Sequence, residues 1–90
     1  MINYIGLDAH SRTCTAVVVN ELGEIKIRQT FPTTEANIIG FLEKISGEKH
    51  LTFEECHLAQ WLYVTIKDQV DKLIVCNPVY LAKRQEPRRT

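Results

Sequence analysis

Two acidic residues stand where apolar, strand-like segments of the sequence end. Asp8 closes residues 3–8, and Glu54 closes residues 50–54. If these segments form neighbouring parallel strands, both carboxylates lie at the carboxyl edge of one sheet, where open α/β sheets bind their ligands. Converging carboxylates repel each other and usually share a cation, and hard oxygen donors favour Mg²⁺ or Mn²⁺ over Zn²⁺. The pair therefore indicates a metal site suited to phosphodiester chemistry.

Both acids also have a local structural explanation. Asp8 could open the turn formed by residues 8–11, and Glu54 could cap the helix that follows it. Glu55 adjoins Glu54, and because successive side chains of a strand face opposite ways, only one of the two is expected in a site. Glu55 is expected instead to favour the helix N-terminus through the helix dipole. These residues by themselves leave the metal site and the structural roles open.

Other polar or aromatic residues nearby offer further candidate chemistry. His10 could contact a phosphate or tune the acidic site, or it could be a polar turn residue. Cys56 and His57 resemble a zinc pair or a nucleophile with its base, but adjacent residues chelate poorly and no third group stands at a useful spacing. Trp61 and Tyr63 could stack on nucleic-acid bases. Trp61 also falls on the apolar stripe of a predicted helix, which favours packing in the core.

Basic residues crowd the end of the sequence. The last eight residues contain Glu86 as their single acid and four basic side chains, Lys83, Arg84, Arg88 and Arg89. Such a tail can contact nucleic-acid phosphates, although a solvated terminus explains it as well. The formal net charge of the chain is +0, which argues against a free-standing nucleic-acid-binding module.

The hydrophobic pattern predicts an α/β fold with a mixed five-stranded sheet. Strands are expected at residues 3–8, 13–19, 24–31, 50–54 and 73–76, and helices at residues 35–46 and 58–70. Gly23 marks a turn in the initial meander, and Thr33 or Thr34 caps the first helix. The last strand is a continuous apolar run, which is typical of a strand buried on both faces. The resulting order, β-β-β-α-β-α-β, predicts that the second strand is antiparallel to the others.

Length and composition fit one domain spanning residues 1–90. Hydrophobic residues make up 44% of the chain and charged residues 24%, which argues against disorder. No apolar run is long enough to cross a membrane, and the start lacks the features of a secretory signal, so a cytoplasmic protein without a membrane partner is expected. The three cysteines form no C-x-x-C pair, which argues against a disulfide framework or a zinc finger. Cys14 and Cys76 lie in apolar runs and are expected in the core.

Several stretches of the sequence, taken in their order, match one known pattern. They are YIGLDAHS (residues 4–11) followed by TCTA (13–16), FPTT (31–34), LTFEE (51–55), QWLY (60–63) and VCNP (75–78). These stretches resemble the N-terminal part of the bacterial insertion-sequence transposases with a DEDD acidic tetrad. That family includes the pilin-gene invertases and the bridge-RNA-guided recombinases.

The resemblance implies a ribonuclease-H-like domain of the RuvC type, in which Asp8 and Glu54 match the first two of four metal-binding acids. It implies Mg²⁺ or Mn²⁺ as cofactor. For the intact protein it implies cutting and rejoining of DNA with a guide RNA and self-association into a homo-oligomer. The third and fourth acids, and a downstream domain with a serine nucleophile, would follow residue 78 and are absent from the 90 residues. We therefore expect a truncated domain that is inactive alone.

Two other functions remain open at this point. One is a non-catalytic ribonuclease-H-like module that interacts with or regulates a full-length partner. The other is ATP binding, as in the actin-like kinases, which share this type of fold. Those proteins need further phosphate loops and a second subdomain, which 90 residues do not accommodate.

Overall fold

The computed structural model describes residues 1–77. Its elements are β1 (Ile2–Ala9), β2 (Thr13–Val19), β3 (Ile25–Pro32), α1 (Glu35–Glu43), β4 (Glu48–Glu54), α2 (Ala59–Ile66) and β5 (Lys72–Cys76). This is the predicted order, with both helices shorter than predicted. Within residues 1–77, neither helix has the length and apolar character needed to cross a membrane.

The strands form one mixed sheet in the order β3-β2-β1-β4-β5. β2 lies antiparallel between β1 and β3, whereas β1, β4 and β5 are parallel to one another. Helix α1 carries the chain from edge strand β3 to β4, and α2 carries it from β4 to β5. Parallel neighbours need such crossover connections, whereas antiparallel neighbours can be joined by tight turns. The chain therefore has the predicted ribonuclease-H-like α/β architecture, with its second strand antiparallel to the others.

Alternation along the strands decides which face of the sheet is buried. In β1, Ile5 and Leu7 are buried, whereas Tyr4 and Asp8 are exposed. The helices pack on the buried face, and their apolar side chains join those of the strands in a single core. The core comprises Ile5, Leu7, Cys14, Ala16, Val18, Phe31, Ile38, Phe41, Leu42, Ile45, Leu51, Phe53, Leu62 and Ile66. We call the other face of the sheet, which α1 and α2 leave uncovered, the open face.

Two local features fix the start of α1 and the turn into β4. Thr34 is the N-cap of α1, because its hydroxyl accepts a hydrogen bond from the backbone N–H of Asn37 at 3.1 Å. This bond satisfies one of the N–H groups that a helix start leaves unpaired. After α1, Gly47 adopts a φ of +79°, and a Cβ there would lie 2.9 Å from the Met1 carbonyl oxygen. Glycine therefore suits this close approach between the start of the chain and β4.

The burial of β5 and of Trp61 differs from the prediction. β5 is an edge strand rather than a strand buried on both faces, and Ile74 and Val75 are 48% and 37% exposed. Trp61 is 38% exposed, because α2 turns Leu62 and Ile66 toward the core instead. An apolar run indicates that a segment can be buried, but the order of strands in the sheet decides whether anything covers it.

Candidate functional site

Asp8 and Glu54 occupy neighbouring positions on adjacent parallel strands. Leu7 of β1 is in register with Phe53 of β4, so the next residue on each strand is one of the two acids. Both acids follow a buried apolar residue and therefore face the open side of the sheet. They line the same surface depression of about 860 Å³, which we call the acidic depression. The structure thus brings together the two acids that the sequence singles out.

The two acids belong to a row of polar side chains that crosses the open face. The hydroxyl groups of Thr30 on β3 and Thr15 on β2 lie 2.9 Å apart. Thr15 is the cross-strand partner of Asp8, and Glu54 is the partner of Cys76 on β5. Because directly opposed residues of neighbouring strands share a face, this row runs through all the strands of the sheet. The acids lie at its centre.

Asp8 is exposed and contacts a histidine from the turn that follows it. Its side chain is 76% exposed, and its Oδ1 lies 3.3 Å from Nε2 of His10, whose side chain is 72% exposed. Within residues 1–77, backbone and hydroxyl groups close this turn without the Asp8 carboxylate. The backbone N–H of His10 donates to the Thr13 carbonyl at 3.0 Å, and the Thr33 hydroxyl donates to the backbone carbonyl of His10 at 2.7 Å. His10 is therefore a direct neighbour of the acidic site, and its contact with phosphate stays a prediction.

Glu54 and Glu55 both line the acidic depression. Glu54 is the last residue of β4, so strand alternation does not decide where the side chain of Glu55 lies, and the expectation that only one of the two acids faces the site stays a prediction. Glu54 does not cap α2, because α2 begins at Ala59 and its N-cap position is Leu58, and Glu55 likewise lies outside the first turn, which contains no acidic residue. The backbone N–H of Glu55 donates instead to the Cys76 carbonyl at 2.6 Å.

Ser11 and His57 form a contact that the sequence does not indicate. The Oγ of Ser11 lies 3.3 Å from Nε2 of His57, which joins the β1–β2 turn to the loop between β4 and α2. Both residues line the acidic depression. The two residues are 46 positions apart, so patterns of local spacing in the sequence cannot predict their contact. Within residues 1–77, no group of three or more His, Cys, Asp or Glu side chains that could hold a metal is found.

Arg28 is a further residue of the acidic depression that the sequence does not single out. It lies on β3 opposite Val17 of β2 and faces the open side of the sheet. It makes no ion pair with the residues that the structure describes. The alternation of β3 predicts that Lys26, Arg28 and Thr30 share one face. Only the sheet order shows that this face is the one that carries Asp8.

The two cysteines predicted as core residues differ in their environments. Cys14 is fully buried on the core side of β2. Burial raises the pKa of its thiol, the hydrogen bond with Thr33 lowers it, and the charge of Asp8 raises it. Cys76 is only partly buried, lies on the open face, and its Sγ is 3.1 Å from the hydroxyl of Thr52. Its prediction as a core residue is wrong, because an apolar run does not show which of its residues face the helices.

The remaining candidates lie away from this site or outside the described residues. Tyr63 is exposed on α2, and neither it nor Trp61 lines the acidic depression. The four basic residues predicted to contact nucleic acid lie beyond residue 77, outside the described part of the chain. They are Lys83, Arg84, Arg88 and Arg89.

Comparison with known protein families gives no match, and no curated protein sequence matches either. Several solved structures match this chain, including the following two. Pelota from Archaeoglobus fulgidus has a TM-score of 0.55 and 13% identity, over 92% of this chain and 31% of its own. A Ppx/GppA phosphatase from Aquifex aeolicus has a TM-score of 0.49 and 13% identity, over 87% and 36%. The chain spans about a third of either protein, and the likeness to Pelota shows the fold alone.

Proposed function

We propose that this chain is the N-terminal part of a RuvC-like domain from a DEDD-type transposase. Asp8 and Glu54 then contribute to metal-dependent cutting and rejoining of DNA. The observation that carries the proposal is the placement of both carboxylates on the open face at the carboxyl ends of β1 and β4. A fold by itself does not select an activity. The sequence resemblance around the two acids adds the specific reaction, together with a guide RNA and self-association.

The donor set of the acidic pair suits a small divalent cation. Neighbouring strands lie about 5 Å apart, and their two carboxylates offer the hard oxygen ligands that Mg²⁺ and Mn²⁺ prefer. Asp8 and Glu54 would hold the cation, which when bound supplies Lewis-acid stabilisation of charge on phosphodiester oxygens. Two acids are an incomplete set, and on this proposal the third and fourth acids of the family, which the 90 residues do not contain, complete it.

The openness of the site favours a polymeric substrate. The acids lie on an exposed sheet surface, and the side chains of Asp8 and His10 are largely exposed. Sites for small molecules are concave and bury most of the ligand surface. A nucleic-acid strand can reach carboxylates on such a surface, which supports DNA over ATP as the substrate.

A non-catalytic interaction or regulatory module is the second candidate function. It is favoured by the absence, within residues 1–77, of a group of three or more side chains that could hold a metal. Such a module would keep the ribonuclease-H-like sheet and bind a partner without metal.

Manganese binding followed by NMR distinguishes the two functions. Mn²⁺ is paramagnetic and broadens the amide signals of residues close to its ligands, even when binding is weak. Titration of the ¹⁵N-labelled chain should first broaden the signals of residues adjoining Asp8 and Glu54. The double variant Asp8→Asn, Glu54→Gln should lose this selective broadening, because each replacement removes a charged oxygen ligand.

Glu43→Gln is the matched control, because Glu43 is an exposed acid at the end of α1, away from the acidic depression. Its manganese response should equal that of the unchanged chain. Selective broadening around Glu48 and His50, whose side chains lie 2.7 Å apart, would contradict the metal role of Asp8 and Glu54. Unselective broadening would contradict it as well, and both results would favour the non-catalytic module.

A further inference from the structure

We propose that Ser11, His57 and Arg28 bind the sugar–phosphate backbone of a nucleic-acid strand that lies in the acidic depression. This inference rests on the proposed function for the kind of substrate, but it concerns different side chains. Ser11 and His57 lie in the loops just beyond the carboxyl ends of β1 and β4, and Arg28 lies on β3. All three line the acidic depression and flank the two acids.

Electrostatics require such groups beside the acids. Each backbone phosphate is negative and is repelled by the carboxylates of Asp8 and Glu54. The chain has a formal net charge of +0, so no general basic excess offsets this repulsion. Hydrogen-bond donors and cations within the acidic depression must therefore offset the repulsion between the carboxylates and a phosphate. His10 already lies 3.3 Å from Asp8, whereas Arg28 offers a cation without an ionic partner among the described residues and the Ser11–His57 pair offers a hydrogen-bond donor beside the acids.

The Ser11–His57 pair keeps a donor for a further acceptor in either of its arrangements. If the Ser11 hydroxyl donates to Nε2, the other ring nitrogen of His57 carries an N–H. If the Nε2–H donates to Ser11, the hydroxyl hydrogen remains. Within residues 1–77, neither side chain makes a second hydrogen bond. A phosphate oxygen accepts from either group, and protonation of His57 would strengthen the contact.

Backbone hydrogen bonds hold both loops in place. The Arg12 carbonyl accepts from the Thr33 N–H at 2.9 Å, which anchors the turn that carries Ser11. In the other loop, the Ala59 N–H donates to the Cys56 carbonyl at 3.0 Å, on either side of His57. The Ser11–His57 pair is therefore held in position before a nucleic acid binds, which lowers the conformational entropy that is lost on binding.

The side chain of Arg28 has room to reach a nucleic acid bound in the acidic depression. The floor of the depression between Arg28 and β4 is formed by small side chains, and at Gly6 nothing lies within 4 Å of where a Cβ would be. A guanidinium group presents planar donors that match phosphate oxygens. Arg28 has no ionic partner among the described residues, so binding a phosphate breaks no ion pair there.

Fluorescence anisotropy with short labelled oligonucleotides tests the inference. The probes are one single-stranded DNA, the RNA of the same sequence and the corresponding DNA duplex, each with EDTA and with Mg²⁺. His57→Ala and Arg28→Ala should each weaken binding about tenfold, as expected for one lost charge-assisted hydrogen bond. Arg28→Ala should also reduce the slope of log affinity against log salt by about one, because it removes one cation from a phosphate. The probe that binds best identifies the backbone as DNA or RNA.

Two matched controls and one conservative variant keep the test specific. Lys26→Ala removes a cation from β3 two residues before Arg28, and His50→Ala removes a histidine from the open face, but neither residue lines the acidic depression. Both should bind like the unchanged chain. His57→Lys breaks the contact with Ser11 but places a charged hydrogen-bond donor at the same position, so it should retain affinity if His57 binds phosphate. A loss as large as that of His57→Ala would assign His57 a purely structural role and overturn the inference.

The result is separable from the manganese experiment. Binding with EDTA that depends on Arg28 and His57, without selective manganese broadening, would leave the backbone site standing and reject the metal role. Selective broadening with no oligonucleotide binding, or with binding that ignores Arg28 and His57, would reject the backbone site alone. In EDTA, Asp8→Asn should bind at least as tightly as the unchanged chain, because it removes a repelling charge.

Discussion

At Asp8 and Glu54, the cost of placing two carboxylates side by side is set by their exposure. Like charges on neighbouring strands repel, but water screens the interaction where side chains are as exposed as that of Asp8. We therefore expect Asp8→Asn and Glu54→Gln to leave the free energy of unfolding unchanged or to raise it by up to about 1 kcal/mol. Urea melts of the metal-free chain measure this effect.

Asp71→Asn is the matched comparison for these melts, because the Asp71 carboxylate has a structural role. Its Oδ2 accepts from the Lys49 N–H at 2.7 Å, and its own N–H donates to the Lys49 carbonyl. Weakening this hydrogen bond should lower the free energy of unfolding by about 1 kcal/mol. If Asp8→Asn or Glu54→Gln cost more than about 2 kcal/mol, the acid would be a structural hydrogen-bond partner and not a strained ligand.

At the scale of elements, α1 is short and depends on its N-cap. A helix of nine residues is marginal without tertiary contacts, so the bond from the Asn37 N–H to the Thr34 hydroxyl contributes a sizeable share of its local stability. Thr34→Ala should lower the free energy of unfolding by about 1 kcal/mol in thermal or urea melts. Thr34→Ser keeps the hydroxyl and should stay close to the unchanged chain. Equal losses in the two variants would show that the methyl group, and not the cap, matters.

The two edge strands show that a strand can be predicted at the correct residues while its burial is predicted correctly in one case and wrongly in the other. Residues 24–31 alternate between polar and mostly apolar side chains, which is typical of a strand with one solvent-exposed face near the edge of a sheet, and β3 lies at an edge. The apolar run of β5 predicts a strand buried on both faces, yet β5 lies at the other edge of the sheet, and its Ile74 and Val75 are exposed. Alternation reports burial on one side of a strand, whereas an apolar run is compatible with either position until its neighbours are known.

At the scale of the whole molecule, core and candidate chemistry occupy opposite faces of one sheet. The helices cover one face, and the acids, Arg28 and the polar row lie on the other. Within residues 1–77, the acidic depression therefore combines a rigid support with free access for a large ligand. Functional residues held on strands are positioned more accurately than residues held on loops.

The chain alone should not cleave DNA. On the proposed function, Asp8 and Glu54 are two of four metal-binding acids, and an incomplete ligand set gives neither the affinity nor the geometry for catalysis. Incubation with Mg²⁺ or Mn²⁺ and duplex, hairpin or branched DNA should give no product on denaturing gels. Equal trace cleavage by the chain and by its Asp8→Ala variant would indicate a contaminant. Cleavage that Asp8→Ala abolishes would show that residues outside the described part, or a second copy, complete the site.

The sequence by itself determined the order and type of the elements. Hydrophobic periodicity and turn residues act over a few positions, so residues 13–19 are recognisable as β2 and Thr34 as one of two candidate caps. The same local logic placed Asp8 and Glu54 at strand ends. The crossover required between parallel strands then predicted that the two acids share one edge of the sheet, where the structure has them.

Only the tertiary structure decided which other groups surround these acids. Arg28 reaches the site because β2 and β3 extend the sheet on one side, and Cys76 reaches it because β5 extends the other. Ser11 meets His57 because β1 and β4 are neighbours in register, although 46 positions separate the two residues. Local pattern carries no information about strand order, register or the face that the helices cover, because these follow from long-range packing of the apolar core.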